Sequence, residues 1–160
     1  MCGIAGIMFK ETASGFDLGK ALIDMLDGCQ HRGPDSTGFA LYRDSSDGRY
    51  GLRFYVDAGD QAAHTIARIK ETLSDQGAVL IQEEIIGENY RVEVDFDGDI
   101  QAFAYAMEHA AKLWSLGTSL DIVKDVGGAH DVDDRYHVSE HCGSHGIGHV
   151  RLATESDVKP

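Results

Sequence analysis

Cys2 follows Met1 directly, in the run Met1-Cys2-Gly3-Ile4-Ala5-Gly6-Ile7-Met8-Phe9. Once an initiator methionine is trimmed, a cysteine in this position carries both a thiol and a free α-amine. A thiol needs a base to become a good nucleophile, and an α-amine with a reference pKa of about 7.7–8.0 can take that proton near neutrality. A second chemical group stands far away in sequence, in Gly146-Ile147-Gly148-His149-Val150-Arg151-Leu152-Ala153-Thr154-Glu155-Ser156. There Arg151, at the end of an apolar stretch, could present a permanently charged guanidinium fork to a carboxylate. The third is the turn-forming stretch Gln30-His31-Arg32-Gly33-Pro34-Asp35-Ser36-Thr37-Gly38, whose side chains can hydrogen-bond nearby backbone amides. Taken singly, each has a plainer reading: a small buried hydrophobe, an exposed arginine ending a core strand, a connection between helix and strand.

A fourth group, His137, His141, Cys142, His145 and His149, has four histidines spaced by four, which on a helix would offer one face to a metal. Gly143, Gly146 and Gly148 make that helix a poor prospect, so no metal site is expected.

The elements that would position these groups read as follows. Ile4, Ile7 and Phe9, with small residues between, predict a buried first strand that holds the terminus rigid. Asp17 to Cys29 places Leu18, Leu22, Met25, Leu26 and Cys29 at helical spacing, packed on that strand. Gly28 and the polar residues after it end the helix, and Phe39 to Tyr42 form a strand. From 49 to 126 the pattern is self-contained. Strands are expected over Tyr50–Val56, Ala78–Ile86, Tyr90–Phe96 and Leu120–Val126, with helices over Asp60–Gln76 and Ile100–Leu116. On the second helix Phe103, Met107, Ala110 and Trp114 share a face. The order βαββαβ is the ferredoxin-like arrangement. Loop-like stretches at 44–48 and 127–134 make it an inserted module, leaving 1–48 and 127–160 as the host.

Composition limits the partners. The 160 residues carry a formal charge of -13, with 14 Lys and Arg against 27 Asp and Glu. Such a surface repels phosphate backbones, which argues against nucleic acid. Leader-like and membrane-length apolar stretches are absent from the chain, so no membrane association and a cytoplasmic location are expected. Three cysteines, Cys2, Cys29 and Cys142, form no disulfide framework and are expected to be reduced thiols.

Together, Met1-Cys2-Gly3-Ile4, His31-Arg32-Gly33-Pro34-Asp35-Ser36-Thr37-Gly38 and Gly148-His149-Val150-Arg151-Leu152-Ala153-Thr154 resemble the class II glutamine amidotransferase domain. This is a glutaminase of the N-terminal-nucleophile hydrolase superfamily. The resemblance covers roughly the first 43 and the last 16 positions, and it implies an α+β fold, the αββα sandwich. It also implies that Cys2, freed of Met1, attacks the side-chain amide of glutamine. Its α-amine would act as base through water and return the proton to departing ammonia. Arg151 matches the arginine that grips the glutamine α-carboxylate, and Thr154 lies in the loop lining that pocket. Arg32 and Asp35 match the turn that supports the nucleophile. No cofactor is implied; the implied partners are glutamine and a separate ammonia-accepting synthase subunit.

The chain departs from the sugar-phosphate and phosphoribosyl branches at Leu152 and Glu155-Ser156. The Ala-Thr-Glu-Ser run and the insertion look more like the stand-alone subunits related to glutamate synthase, including the N-methylglutamate synthase type. The family's Asn-Gly pair, which supplies donors to the tetrahedral intermediate, is absent; Asn89 is the only asparagine. Losing one such donor typically costs about 100- to 1000-fold in rate. The expectation is therefore a domain cut short at its C-terminus and slow by itself. Two other readings fit the same residues: an amidase of this superfamily with a different amide substrate, and a non-catalytic regulatory or assembly protein using the inserted module for contacts.

Overall fold

The computed structural model describes residues 2–10, 17–45, 48–57 and 59–153. They form an α+β chain of two four-stranded sheets. The chain divides into two compact units, Met1–Asp44 with Ile122–Pro160, and Ser45–Asp121.

The first unit holds β1 (Gly3–Met8), α1 (Leu18–Asp27), a 3-10 turn (Gln30–Arg32), β2 (Ser36–Tyr42), β7 (Leu120–Val126), α4 (Ala129–Tyr136) and β8 (His145–Arg151). The strand order is β1-β8-β2-β7, with β8 antiparallel to both β1 and β2. Side chains alternate across a strand, so each carries two distinct faces. On β8, Gly146, Gly148 and Val150 are buried. A Cβ placed on Gly148 would come within 2.7 Å of the Leu26 side chain, and one on Gly146 within 2.9 Å of Leu22. Small residues on this face are therefore what lets α1 lie close against the sheet. Leu18, Leu22, Ile23 and Leu26 of α1 fill the core with Phe39, Leu41, Val123, Val132, Val138 and Val150.

Three expectations for this unit need correction. The first strand is present, but as an edge strand. Ile4 is 73% exposed and Met8 74%, with only Gly3 of β1 fully buried. Ile4 and Met8 point to the sheet face away from α1, where Ile147 of the interior strand β8 is exposed too, so apolar composition overstates burial here. Met25, placed with the apolar stripe, is exposed, and Ile23 takes the core position instead. The segment expected to be a loop at 127–134 contains α4. Its first turn is held by Asp131, whose carboxylate accepts from the Gly128 N–H at 2.8 Å.

On α4, His130 meets Asp27 at 2.9 Å on the surface. The hydrogen bond to Asp27, and then the Asp27 charge, raise His130 above its ordinary value of 6.5. The raised value means the pair's stabilisation is complete below about pH 6.5 and is lost as pH climbs through the folded-state value. Both groups are well exposed, which limits the effect to about 0.5 kcal/mol. Urea titrations of the wild type and His130→Gln at pH 5.5 and pH 8.5 should differ more at the acid end. An equal difference at both would show that the pair contributes nothing through charge.

The second unit runs β3 (Arg49–Tyr55), α2 (Asp60–Asp75), β4 (Val79–Ile86), β5 (Asn89–Asp95), α3 (Ile100–Ala110) and β6 (Lys112–Gly117). Its sheet has the order β4-β5-β3-β6, each strand antiparallel to its neighbour. Leu52, Phe54, Tyr90, Val92 and Val94 of the sheet pack with Ile69 and Leu73 of α2 and with Phe103 and Met107 of α3. The expected helix Ile100–Leu116 is shorter than its pattern. Asp99 caps its start by accepting from Gln101 and Ala102 N–H at 2.9 and 3.2 Å, and the chain turns extended at Ala111. Lys112–Gly117 is instead the fourth strand, and Trp114 stacks on Tyr55 with ring centroids 5.8 Å apart. Leu120–Val126, expected as that fourth strand, belongs to the first sheet beside β2. Ala110, Leu113 and Trp114 continue a helical stripe in sequence, but pairing with β3 satisfies their backbone groups as a ladder. Tertiary hydrogen bonding thus overrides local periodicity.

Candidate functional site

The three distant motifs meet at one end of the first sheet. In β1 and β8, Gly3 pairs with Val150, so Cys2 stands one step beyond that pair, level with Arg151. In β2 and β8, Ser36 pairs with Arg151. Adjacent strands are about 5 Å apart, so a row of three strand positions brings Cys2, Arg151 and Ser36 to the same edge. Cys2 is exposed there and Arg151 half-buried. The alternation of burial on β8 puts Arg151 on the same face as His149, Ile147 and His145, opposite the face that α1 covers.

Close packing behind this row fixes the terminus. A Cβ at Gly3 would meet Cys29 Sγ at 2.9 Å and Val150 Cγ2 at 3.0 Å, so Gly3 is where β1 sits down on the core. Cys29, partly buried against the first core, is a packing residue, as the sequence suggested.

Asp35 ties the motif turn to the end of β8. Its backbone N–H donates to Arg151 O at 3.1 Å, and its carboxylate Oδ2 accepts from Ala153 N–H at 2.7 Å. Its own carbonyl accepts from Gly127 N–H at 2.9 Å, and Thr37 Oγ1 donates to Gly127 O at 2.8 Å. Asp35 is thus a structural clamp on both sides of Leu152, the segment that leads to Thr154. Asp35→Ala would leave the part-buried Ala153 N–H without its acceptor, costing about 1–2 kcal/mol. The expected result is a lower denaturation midpoint, with Asp35→Asn, which keeps an acceptor, falling between the two; equal midpoints for wild type and alanine would show that this bond carries nothing.

Arg32, grouped with Asp35 from sequence, plays a lesser part. It is exposed, and it enters the turn through its backbone, donating N–H to Cys29 O at 2.9 Å. Thr154 lies outside the described residues. Gln30 was missed by sequence reasoning. Its Nε2 donates to Gly33 O and its Oε1 accepts from Ala129 N–H, both at 2.9 Å, linking the turn to the start of α4. Its only signal was membership of the turn, because the helix it anchors was not foreseen.

A cavity of about 240 Å3 opens on the Arg151 face, lined by Ser36, Thr37, Gly38, Lys124, Asp125, His149 and Arg151. Lys124 and Asp125 were not singled out in sequence, and Ser36 was named there only as a residue of the turn. Its wall carries the positive side chains of Arg151 and Lys124 and the carboxylate of Asp125, whose Oδ2 accepts from Arg135 Nη1 at 2.8 Å and Tyr136 OH at 2.9 Å. Of the histidine group, His145 and His149 share this strand face, and His145 stacks on Tyr42 at 4.2 Å. His137 instead ends α4 in the left-handed conformation, with φ 52°. The even spacing therefore does not become one surface. Among the described residues no group of three or more His, Cys, Asp or Glu side chains is arranged to hold a metal ion, and no helix is long and apolar enough to cross a membrane.

Comparison with known proteins bears on the whole chain. No protein-family model matches it. It is 32% identical over 163 residues to the glutamine amidotransferase-like protein GlxB of Rhizobium meliloti, across 99% of this chain and 52% of that protein. It is 30% identical over 168 residues to a protein of Methanothermobacter thermautotrophicus that also carries a glutamine amidotransferase name, across 99% of this chain and 54% of that one. The chain thus spans about half the length of the curated relatives it matches. Similarity of this extent, reaching through the second unit as well as the motifs, supports a glutamine amidotransferase family for this chain.

Proposed function

We propose that the chain carries the nucleophile end of a class II glutamine amidotransferase, hydrolysing glutamine to glutamate and ammonia. The observation that carries this reading is the strand register that brings Cys2 and Arg151 level at one sheet edge, with Asp35 clamping the segment beyond. Cys2, with Met1 removed, supplies the thiolate that attacks the side-chain amide carbon of glutamine. Its α-amine accepts the thiol proton through water and returns it to the leaving nitrogen, so the C–N bond breaks to a thioester and ammonia. Water then hydrolyses the thioester to glutamate and frees the thiol. Arg151 holds the substrate α-carboxylate as a charge-assisted pair, Thr154 lines the same pocket, and the Arg32–Asp35 turn is its structural support.

The fold belonging to this reading is the αββα sandwich of N-terminal-nucleophile hydrolases, with a ferredoxin-like module inserted. The β4-β5-β3-β6 order on a βαββαβ path supports the module. The exposure of Ile4, Met8 and Ile147 on the face away from α1 supports a second sheet packed there. The ammonia goes to a synthase subunit in a cytoplasmic hetero-oligomer of the glutamate synthase-related kind, with glutamine as its source.

Intact mass spectrometry before and after treatment with a glutamine-like diazoketone tests the reading. Loss of Met1 and one adduct, mapped to Cys2 and suppressed by glutamine, is the expected result. Retention of Met1 would remove the α-amine mechanism, and an adduct on Cys29 or Cys142 instead would remove Cys2 as the nucleophile.

A further inference from the structure

The outer edge of the second sheet is formed by β4, an eight-residue strand of which seven residues are exposed. It carries Val79 at 59% exposure, Leu80 at 36%, Ile81 at 45% and Ile85 at 58%. In the strand order β4 has β5 on one side only, so its other side presents a row of backbone donors and acceptors. Edge strands are ordinarily protected by shortness, proline or charges facing outward. This one is long, lacks proline, and keeps one of its two charges, Glu83, occupied. Glu83 accepts from Lys70 Nζ at 2.8 Å and from Tyr90 OH at 2.7 Å, contacts that hold its carboxyl below the ordinary value. Glu84 stands opposite Arg91 in the β4–β5 ladder. Of the two carboxylates at the centre of the strand, Glu83 is thus held by its own unit, while the Arg91 beside Glu84 pairs with Asp121 at 3.2 Å.

We propose that β4 pairs antiparallel with β4 of a second copy of this chain, joining two sheets into one across a two-fold axis. The occupant follows from the order of residues along the strand. Both ends are apolar, Val79-Leu80-Ile81 and Ile85-Ile86, and the middle, Gln82-Glu83-Glu84, is polar. An antiparallel copy sets apolar end against apolar end about a two-fold axis, whereas a parallel copy would set the Val79-Leu80-Ile81 ends together and the Ile85-Ile86 ends together. Faces agree as well: Leu80 lies opposite Val94 and Ile85 opposite Tyr90, both buried on the helix-bearing side. Leu80 of one copy and Ile85 of the other therefore meet on the same face. The register slips once, between Leu80 and Gln82, and the ladder Gln82–Ile86 runs unbroken beside β5. Such an interface is self-complementary and closes at two copies.

Sedimentation equilibrium of the full chain across a hundredfold range of concentration, with wild type, Ile85→Lys and Val79→Lys, tests this. The expected wild type is a dimer, each lysine variant shifting the dissociation constant upward at least tenfold while far-UV circular dichroism stays native. Both replaced side chains are largely exposed, so folding should survive. The general effect of an added positive charge is controlled by Glu71→Lys at an exposed position of α2, which should leave the dimer intact. A wild type that is monomeric throughout, that grows into open-ended species, or that dimerises equally well with both lysines would overturn the proposal.

Discussion

Cys2→Ala is expected to reduce labelling by a glutamine-like diazoketone to background. On the proposed function the probe needs a thiolate held beside an α-carboxylate site, and the register sets Cys2 level with Arg151, the proposed carboxylate grip. Cys29 is partly buried against the core, and Cys142 belongs to the segment before β8, away from this edge in sequence and ladder. Stability should barely move, because Cys2 is exposed and its truncation leaves no cavity; changes within about 0.5 kcal/mol are typical of such sites. Arg151→Lys divides binding from chemistry. It keeps the charge but loses the planar fork, so labelling should slow about 10- to 100-fold at low probe and recover at high probe concentration. Persistent labelling in Cys2→Ala would sink the proposed nucleophile, and an unchanged rate in Arg151→Lys would remove the carboxylate grip.

Gly33→Ala is expected to be the most damaging single methyl in the motif turn. A Cβ there would sit 2.5 Å from both the Arg151 nitrogen and the Val150 carbonyl carbon, and 2.6 Å from the Arg151 carbonyl carbon. These are backbone atoms of β8, the strand between β1 and β2, and they cannot rotate aside. Gly33 has φ -156°, an ordinary extended value, so the requirement is for space and not for an unusual conformation. Overpacking against backbone costs about 3 kcal/mol. Thermal unfolding should show a drop of several degrees, and the displaced end of β8 should weaken labelling at Cys2 at the same time. A near-native midpoint would mean that the turn can lift off β8 freely, and the link between turn and site would fail with it.

Much of the first unit was legible. The α1 stripe of Leu18, Leu22 and Leu26 declared a helix because three apolar side chains at helical spacing have one common face to bury. The glycines of β8 declared against a histidine-bearing helix, and the structure shows the use of two of them: Gly146 and Gly148 leave room for α1. Less legible were properties that depend on what lies next door. Ile4 and Met8 are exposed because they point to the sheet face away from α1, where Ile147 of the interior strand β8 is exposed as well. Gln30 acts only because the start of α4 lies within reach.

The residue types that can do this chemistry, and their grouping into three motifs, are properties of the sequence alone, because reactivity belongs to the side chain and turn chemistry to a few neighbours. Helices with strong stripes were equally local. Which sheet a strand joins was not: Leu120–Val126 and Lys112–Gly117 are both competent strands, and only hydrogen-bond partners distant in sequence assign the first to β2 and the second to β3. The meeting of Cys2, Asp35 and Arg151 is of the same kind. Nothing in the intervening residues brings positions 2 and 151 together; the antiparallel register of β1 on β8 does, since a ladder fixes every pair along it once one pair is set.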